Sequence, residues 1–137
     1  MARDVAKRYQ DIVAWQLADD LRRQIVATSA EAPFAQDYRL CAQIRAAANS
    51  ASANIAEGFK RFNPGEFSQF MKYARGSLAE VGIHLTDAKD RRLISEARHA
   101  ELSHLAARAA IASARLHGYL RTAEPPKTKT RSAQKRR

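Results

Sequence analysis

The chain has 137 residues, with 24 lysines and arginines against 14 aspartates and glutamates, for a formal charge of +10. That length holds one compact domain and excludes a TIM barrel or a two-domain dinucleotide enzyme. No apolar run approaches the ~20 residues that span a bilayer, the first residues lack a signal-peptide stretch, and the single cysteine, Cys41, excludes an intrachain disulfide framework. A cytoplasmic setting without a membrane partner is the expectation.

Alanine contributes 28 residues, while glycine (5) and proline (4) are scarce, a balance that favours helices throughout. The first predicted helix runs from about Asp11 to Ala30, with Val13, Leu17, Leu21 and Ile25 as its stripe and Ala14 and Ala18 beside them. Pro33 lies in the break that follows. The second helix is predicted from an Asp37 N-cap to Glu57, with Leu40, Ile44, Ala48, Ala51 and Ile55 on one face and Gly58 as the C′ residue that ends it. Cys41 falls beside that face and reads as an inert core thiol.

The third helix has the clearest start: Asn63 can cap, Pro64 suits N1, and Glu66 can reach back from N3. Phe67, Phe70, Met71, Ala74, Leu78, Val81, Leu85 and Ala88 hold one face to about Lys89. A fourth helix is predicted from about Ser95 to Leu120, with Leu102, Leu105, Ala106, Ala109, Leu116 and Leu120 turned inward. No period-two strand occurs. The prediction is therefore an all-α, antiparallel up-down-up-down four-helix bundle over residues 9–121. Residues 122–137 open with Pro125 and Pro126, contain no Leu, Ile, Val or aromatic residue, and read as a disordered basic tail. That tail suits a nucleic-acid arm or a solubilising terminus.

Three blocks carry more than periodicity. They are Gln43-Ile44-Arg45-Ala46-Ala47 with Ser50 and Asn54-Ile55-Ala56-Glu57-Gly58-Phe59, then Ala74-Arg75-Gly76-Ser77-Leu78-Ala79-Glu80, and the opening Val13-Ala14-Trp15-Gln16 with Ala18. In order and spacing they resemble the small bacterial four-helix-bundle proteins that include those encoded in intervening sequences of large-subunit ribosomal RNA genes. Arg45-Ala46 departs from the two consecutive basic residues common there. The resemblance implies a ring-like homopentamer. It also implies kinship with accessory proteins of diversity-generating retroelements, which serve a reverse transcriptase and bind nucleic acid.

Taken as an antiparallel hairpin turning near Arg61, the second and third helices bring Arg45 within reach of Glu80, which predicts a charge pair that fixes their register. Gly76 lies inside a helix, where glycine costs about 1 kcal/mol relative to alanine, and close approach by a helix from outside the monomer would justify it. Ile83 shares that outer face, and Ile12, Trp15 and Val26 form a second outer patch on the first helix. Together these five residues are the predicted oligomer interface.

Histidines 84, 99, 104 and 117 form no i, i+4 pair, one cysteine builds no thiolate site, and no glycine-rich phosphate loop occurs. No metal, cofactor or catalytic set is predicted, and the chain reads as a non-enzyme.

The predicted topology sorts the charge. One end gathers Arg3, Lys7, Arg8, Lys60, Arg61, Arg121 and the tail residues Lys127, Lys129, Arg131, Lys135, Arg136 and Arg137 against Asp4, Asp11, Glu57, Glu66 and Glu124. The opposite end balances to zero. Those twelve cations are the predicted nucleic-acid-binding set, suited to phosphate-backbone contact with little sequence discrimination. Two functions follow: an oligomeric nucleic-acid-binding accessory protein for a reverse transcriptase or RNA-processing partner, or a helical protein-interaction scaffold.

Overall fold

The computed structural model describes residues 6–61 and 63–123. A short 3-10 turn, Tyr9–Asp11, leads into α1 (Val13–Ser29), and a second, Phe34–Gln36, precedes α2 (Tyr38–Phe59), α3 (Pro64–Asp90) and α4 (Glu96–Thr122). The helices follow their local chemistry. The Asp37 carboxylate accepts the Leu40 N–H, the Asn63 side chain accepts Glu66 N–H, and Ser95 Oγ accepts Arg98 N–H. Each satisfies a backbone donor that the first helical turn leaves free.

Each helix packs on its two neighbours in the cycle α1, α2, α3, α4, and the α2–α3 interface is the most extensive. Cross-links between side chains fix the directions. Arg98 Nε donates to Thr28 Oγ1 at 3.0 Å and Arg91 donates to Asp37 at 2.6 Å at one end. Asn63, Pro64, Leu120 and Arg121 meet at the other. The result is an all-α, antiparallel four-helix bundle.

The core matches the predicted stripes of α2 and α3. Leu40, Ile44, Ala48, Ala51 and Ile55 are buried, as are Met71, Ala74, Leu78, Val81, Leu85 and Ala88. Alanines on facing helices let backbones come close, while the leucines, isoleucines and Met71 fill the layers between them. Phe34, in the α1–α2 connection, is fully buried and closes the core at that end. Cys41 is buried, with its Sγ 3.2 Å from the Phe34 carbonyl oxygen.

Four expectations are corrected. Val13 is 60% exposed, because the inward ridge of α1 runs through Ala14, Ala18, Leu21 and Ile25. Gly58 does not end α2: the helix continues to Phe59, Lys60 is the cap, and no described glycine has positive φ. Its role is steric. A Cβ there would lie 2.7 Å from Phe67 Cδ1 and 2.9 Å from Phe70 Cβ, so α3 can approach only because position 58 lacks a side chain.

The third correction concerns Arg45, whose Nε donates to Ser29 Oγ on α1 at 2.7 Å, while Glu80 meets His84 on its own helix at 3.3 Å. The expected Arg45–Glu80 pair does not form. Ser77 Oγ donates to Ser50 Oγ at 2.9 Å, which sets the α2–α3 register about one helical turn from the loop-centred expectation. Arg45 therefore lies level with Gly82 and turns toward α1.

The fourth concerns Ile12 and Trp15, which pack against the core rather than standing on an outer face. The 3-10 turn before α1 folds against α2 and sets the Tyr9 ring edge-on to Trp15, with centroids 5.1 Å apart. The helix stop after α3 has no glycine: Arg92 adopts φ 59°, and the Leu93 and Arg92 N–H groups bond to the Ala88 and Lys89 carbonyls. This is a Schellman closure with an arginine in the left-handed position.

Candidate nucleic-acid interface

Three elements converge at one end of the bundle: the segment before α1, the α2–α3 turn and the last turn of α4. They place Lys7, Arg8, Lys60, Arg61 and Arg121 there. Arg3 and the tail cations Lys127, Lys129, Arg131, Lys135, Arg136 and Arg137 lie outside the described residues, as does the predicted disorder of that tail.

The five described cations differ in how free they are. Arg8 sits 3.5 Å from Asp11, whose carboxyl is held below the usual range first by the Arg8 backbone N–H. Arg61 pairs with Glu57 at 3.0 Å, and its guanidinium lies 4.9 Å from the centre of the Phe70 ring. Lys7, Lys60 and Arg121 make no ion pair within 4.0 Å among the described residues.

Lys72 and Arg75, which are not among the predicted cations, join Arg121 and extend this end along the α3–α4 seam. Arg75 Nη1 lies 3.0 Å from His117 Nδ1, and Lys72 and Arg121 are close enough to act on the same imidazole. Burial first, then the charges of Arg75, Arg121 and Lys72, push the His117 pKa below its ordinary 6.5. The signal was present as an i, i+3 pair on α3 and an i, i+4 pair on α4, but only the packing of the two helices unites them.

The opposite end mixes cations and carboxylates in equal number. Arg91, the C-cap of α3, bridges Asp37, the N-cap of α2, and Asp87 on α3, and Arg98 pairs with Glu101. Hydrogen bonds to Asp87 and then Asp37 raise the Arg91 pKa further. The cleft there, between the α1–α2 and α3–α4 connections, mixes Glu31, Asp90 and Glu96 with Lys89, Arg92 and Arg98.

Of the predicted interface residues, Val26 is 40% exposed and Ile83 68% exposed. Gly76 is also exposed, and nothing stands within 4 Å of where its Cβ would sit. Ile12 and Trp15 are instead half-buried in their own chain.

Among the described residues no group of three or more His, Cys, Asp or Glu side chains is placed to hold a metal, and no helix is long and apolar enough to cross a membrane. These features define a small helical-bundle protein. The class has a family: residues 10–112 match the 23S rRNA-intervening sequence protein family, and the chain belongs to it. No curated protein matches the chain.

Proposed function

We propose that this protein is a non-enzymatic, oligomeric nucleic-acid-binding accessory protein, built as a homopentameric ring, that serves a reverse transcriptase or an RNA-processing partner. The observation that carries the reading is the contrast between the two ends. Lys7, Lys60 and Arg121 stand without carboxylate partners among the described residues at one end, whereas at the other Arg39, Lys89, Arg91, Arg92 and Arg98 are matched in number by Glu31, Asp37, Asp87, Asp90 and Glu96. A ring that repeats this polarity presents one cationic face, which binds phosphate backbones by releasing condensed counterions. Exposed Ile83 and Gly76 on α3, with Val26 on α1, supply apolar patches on different helices, as a head-to-tail ring contact requires.

The decisive experiment is an anisotropy titration of the full chain against single-stranded RNA and DNA and against duplexes, at several salt concentrations. A steep negative salt slope that weakens on deletion of residues 122–137 supports the reading; negligible binding at low salt refutes it. Sedimentation of the wild type and of Ile83→Glu tests the ring. A monomeric wild type, or an Ile83→Glu protein of unchanged assembly mass, removes this face from the interface. A scaffold reading draws on Tyr38 and Tyr119, which are 82% and 66% exposed, and it gains if the salt titration is flat.

A further inference from the structure

The short Arg75–His117 contact constrains chemistry that the bundle itself does not need. A guanidinium carries only donors, so His117 Nδ1 must accept and the imidazole proton must sit on Nε2. A second proton on His117 would turn that contact into two opposed N–H groups. The charged groups acting on the ring are Arg75 and Lys72 from α3 and Arg121 from its own helix; neither α3 nor α1, the two helices packed on α4, brings a carboxylate to it.

Arg8, Arg22, Arg23, Arg61, Arg91 and Arg98 each pair with a carboxylate. Here the fold leaves Lys72, Arg75 and Arg121 without an ion pair among the described residues. Lys72 and Arg75 of the cluster also line the groove between α3 and α4, where Ala79, Gly82, Ala107 and Ala110 present no bulky side chain. Concentrated positive charge, a ring N–H donor and a smooth strip beside them fit a linear polyanion.

We propose that Lys72, Arg75, His117 and Arg121 form a phosphate clamp for the phosphodiester backbone of a nucleic-acid strand, and that His117 takes up a proton as the strand binds. An incoming phosphate lies between the cations and accepts from them. It replaces the His117 nitrogen as the acceptor for Arg75, and its charge offsets the repulsion that keeps the imidazole neutral. The free protein thus holds His117 neutral near pH 7 and the bound protein holds it charged. Affinity rises as pH falls through the interval between the two states, because the complex binds the extra proton more tightly than the free protein does. The clamp rests on the nucleic-acid reading above and extends it from Arg121, at the end of the bundle, to Lys72, Arg75 and His117 on the α3–α4 seam.

The test follows the His117 imidazole by NMR, assigned from the signal missing in His117→Gln, across pH 5.0–8.0 with and without a single-stranded oligonucleotide. In parallel, oligonucleotide affinity is measured for wild type, Lys72→Gln, Arg75→Gln and His117→Gln, each checked for unchanged helical circular dichroism. The clamp requires the His117 midpoint to move upward on binding and wild-type affinity to rise about five- to ten-fold from pH 7.5 to 5.5. It also requires that rise to vanish in His117→Gln and the single-strand salt slope to fall by about 0.7 in Lys72→Gln.

Deletion of residues 122–137 leaves the pH dependence in place if the clamp is separate from the tail. Tight binding with an unmoved His117 midpoint and wild-type behaviour in Lys72→Gln and Arg75→Gln overturns the clamp while the proposed function stands. Absence of any oligonucleotide binding overturns both. Competition by polyglutamate as strong as that by an oligonucleotide of equal charge overturns the phosphate assignment in favour of an acidic polypeptide.

Discussion

Gly58 lies one residue from the end of α2, with α3 pressed against the hydrogen where a side chain would begin. In Gly58→Ala the new methyl meets Phe67 Cδ1 at 2.7 Å and Phe70 Cβ at 2.9 Å, roughly 0.5–0.7 Å inside ordinary van der Waals contact. Rotation of the half-buried Phe67 ring relieves the first clash. The second involves an atom fixed to the α3 backbone, so the helix itself must retreat. Overpacking of this kind costs about 1–3 kcal/mol, against which the better helix propensity of alanine returns about 1 kcal/mol. The net expectation is a loss of up to about 2 kcal/mol, or a fall in Tm of up to about 8 °C for a domain of this size. Gly118→Ala is the control: it is also helical, but nothing stands within 4 Å of its Cβ position, so a gain of about 0.5–1 kcal/mol is expected. Thermal and urea unfolding of both variants measures the difference. A Gly58→Ala protein as stable as Gly118→Ala would refute the close-approach reasoning.

Three further outcomes follow from local geometry. Arg92→Gly relieves the left-handed backbone at the end of α3 and should stabilise by about 0.5–1 kcal/mol in urea unfolding; no gain would mean that the arginine is unstrained there. A double-mutant cycle of Arg45→Met with Ser29→Ala should show coupling of about 1 kcal/mol, while Arg45→Met with Glu80→Gln should add within about 0.5 kcal/mol. For Asp37→Asn the amide retains the cap but loses the charge that meets Arg91. The Asp37 carboxyl is held below 3.8, first by the Leu40 N–H and also by Arg91, so its contribution is present above that pH and disappears as pH falls through the lower folded value. The Tm gap between wild type and Asp37→Asn should therefore be full at pH 6 and close below pH 3.8; a gap independent of pH would show that the charge is not involved.

Local chemistry made the elements legible. Asp37, Asn63 with Pro64, and Ser95 mark the starts of α2, α3 and α4 because the capping bond spans only three residues. The apolar faces of α2 and α3 could likewise be read from spacing alone. Contacts that depend on helix rotation and register could not. Gly58 has the same sequence context whether it ends a helix or admits a neighbour, and only the position of Phe67 and Phe70 decides between them. Arg45 has candidate partners on two sides, and the Ser50–Ser77 bond, set by packing, turns it toward α1. The end of α3 carries no glycine signal, since a Schellman closure tolerates Arg92 there at some backbone cost. Of the candidate site, the loop-end cations follow from topology, whereas the Arg75–His117 contact joins residues 42 positions apart and needs the α3–α4 register.

Three of the four seams in the bundle join helices that are neighbours along the chain, so each closes over a short connection. The α1–α4 seam is different: its Arg98–Thr28 bond links residues 70 positions apart. Closing it takes up more chain entropy than any hairpin does, a cost that falls once the intervening helices have stacked. The α2–α3 hairpin, with its extensive interface, is then the early and persistent unit of folding, and α1 and α4 separate from each other first. In native-state hydrogen exchange the amides of α2 and α3 should report the global unfolding free energy. Those of α1 and α4 should exchange through a smaller, partial opening along the seam that closes the cycle of helices.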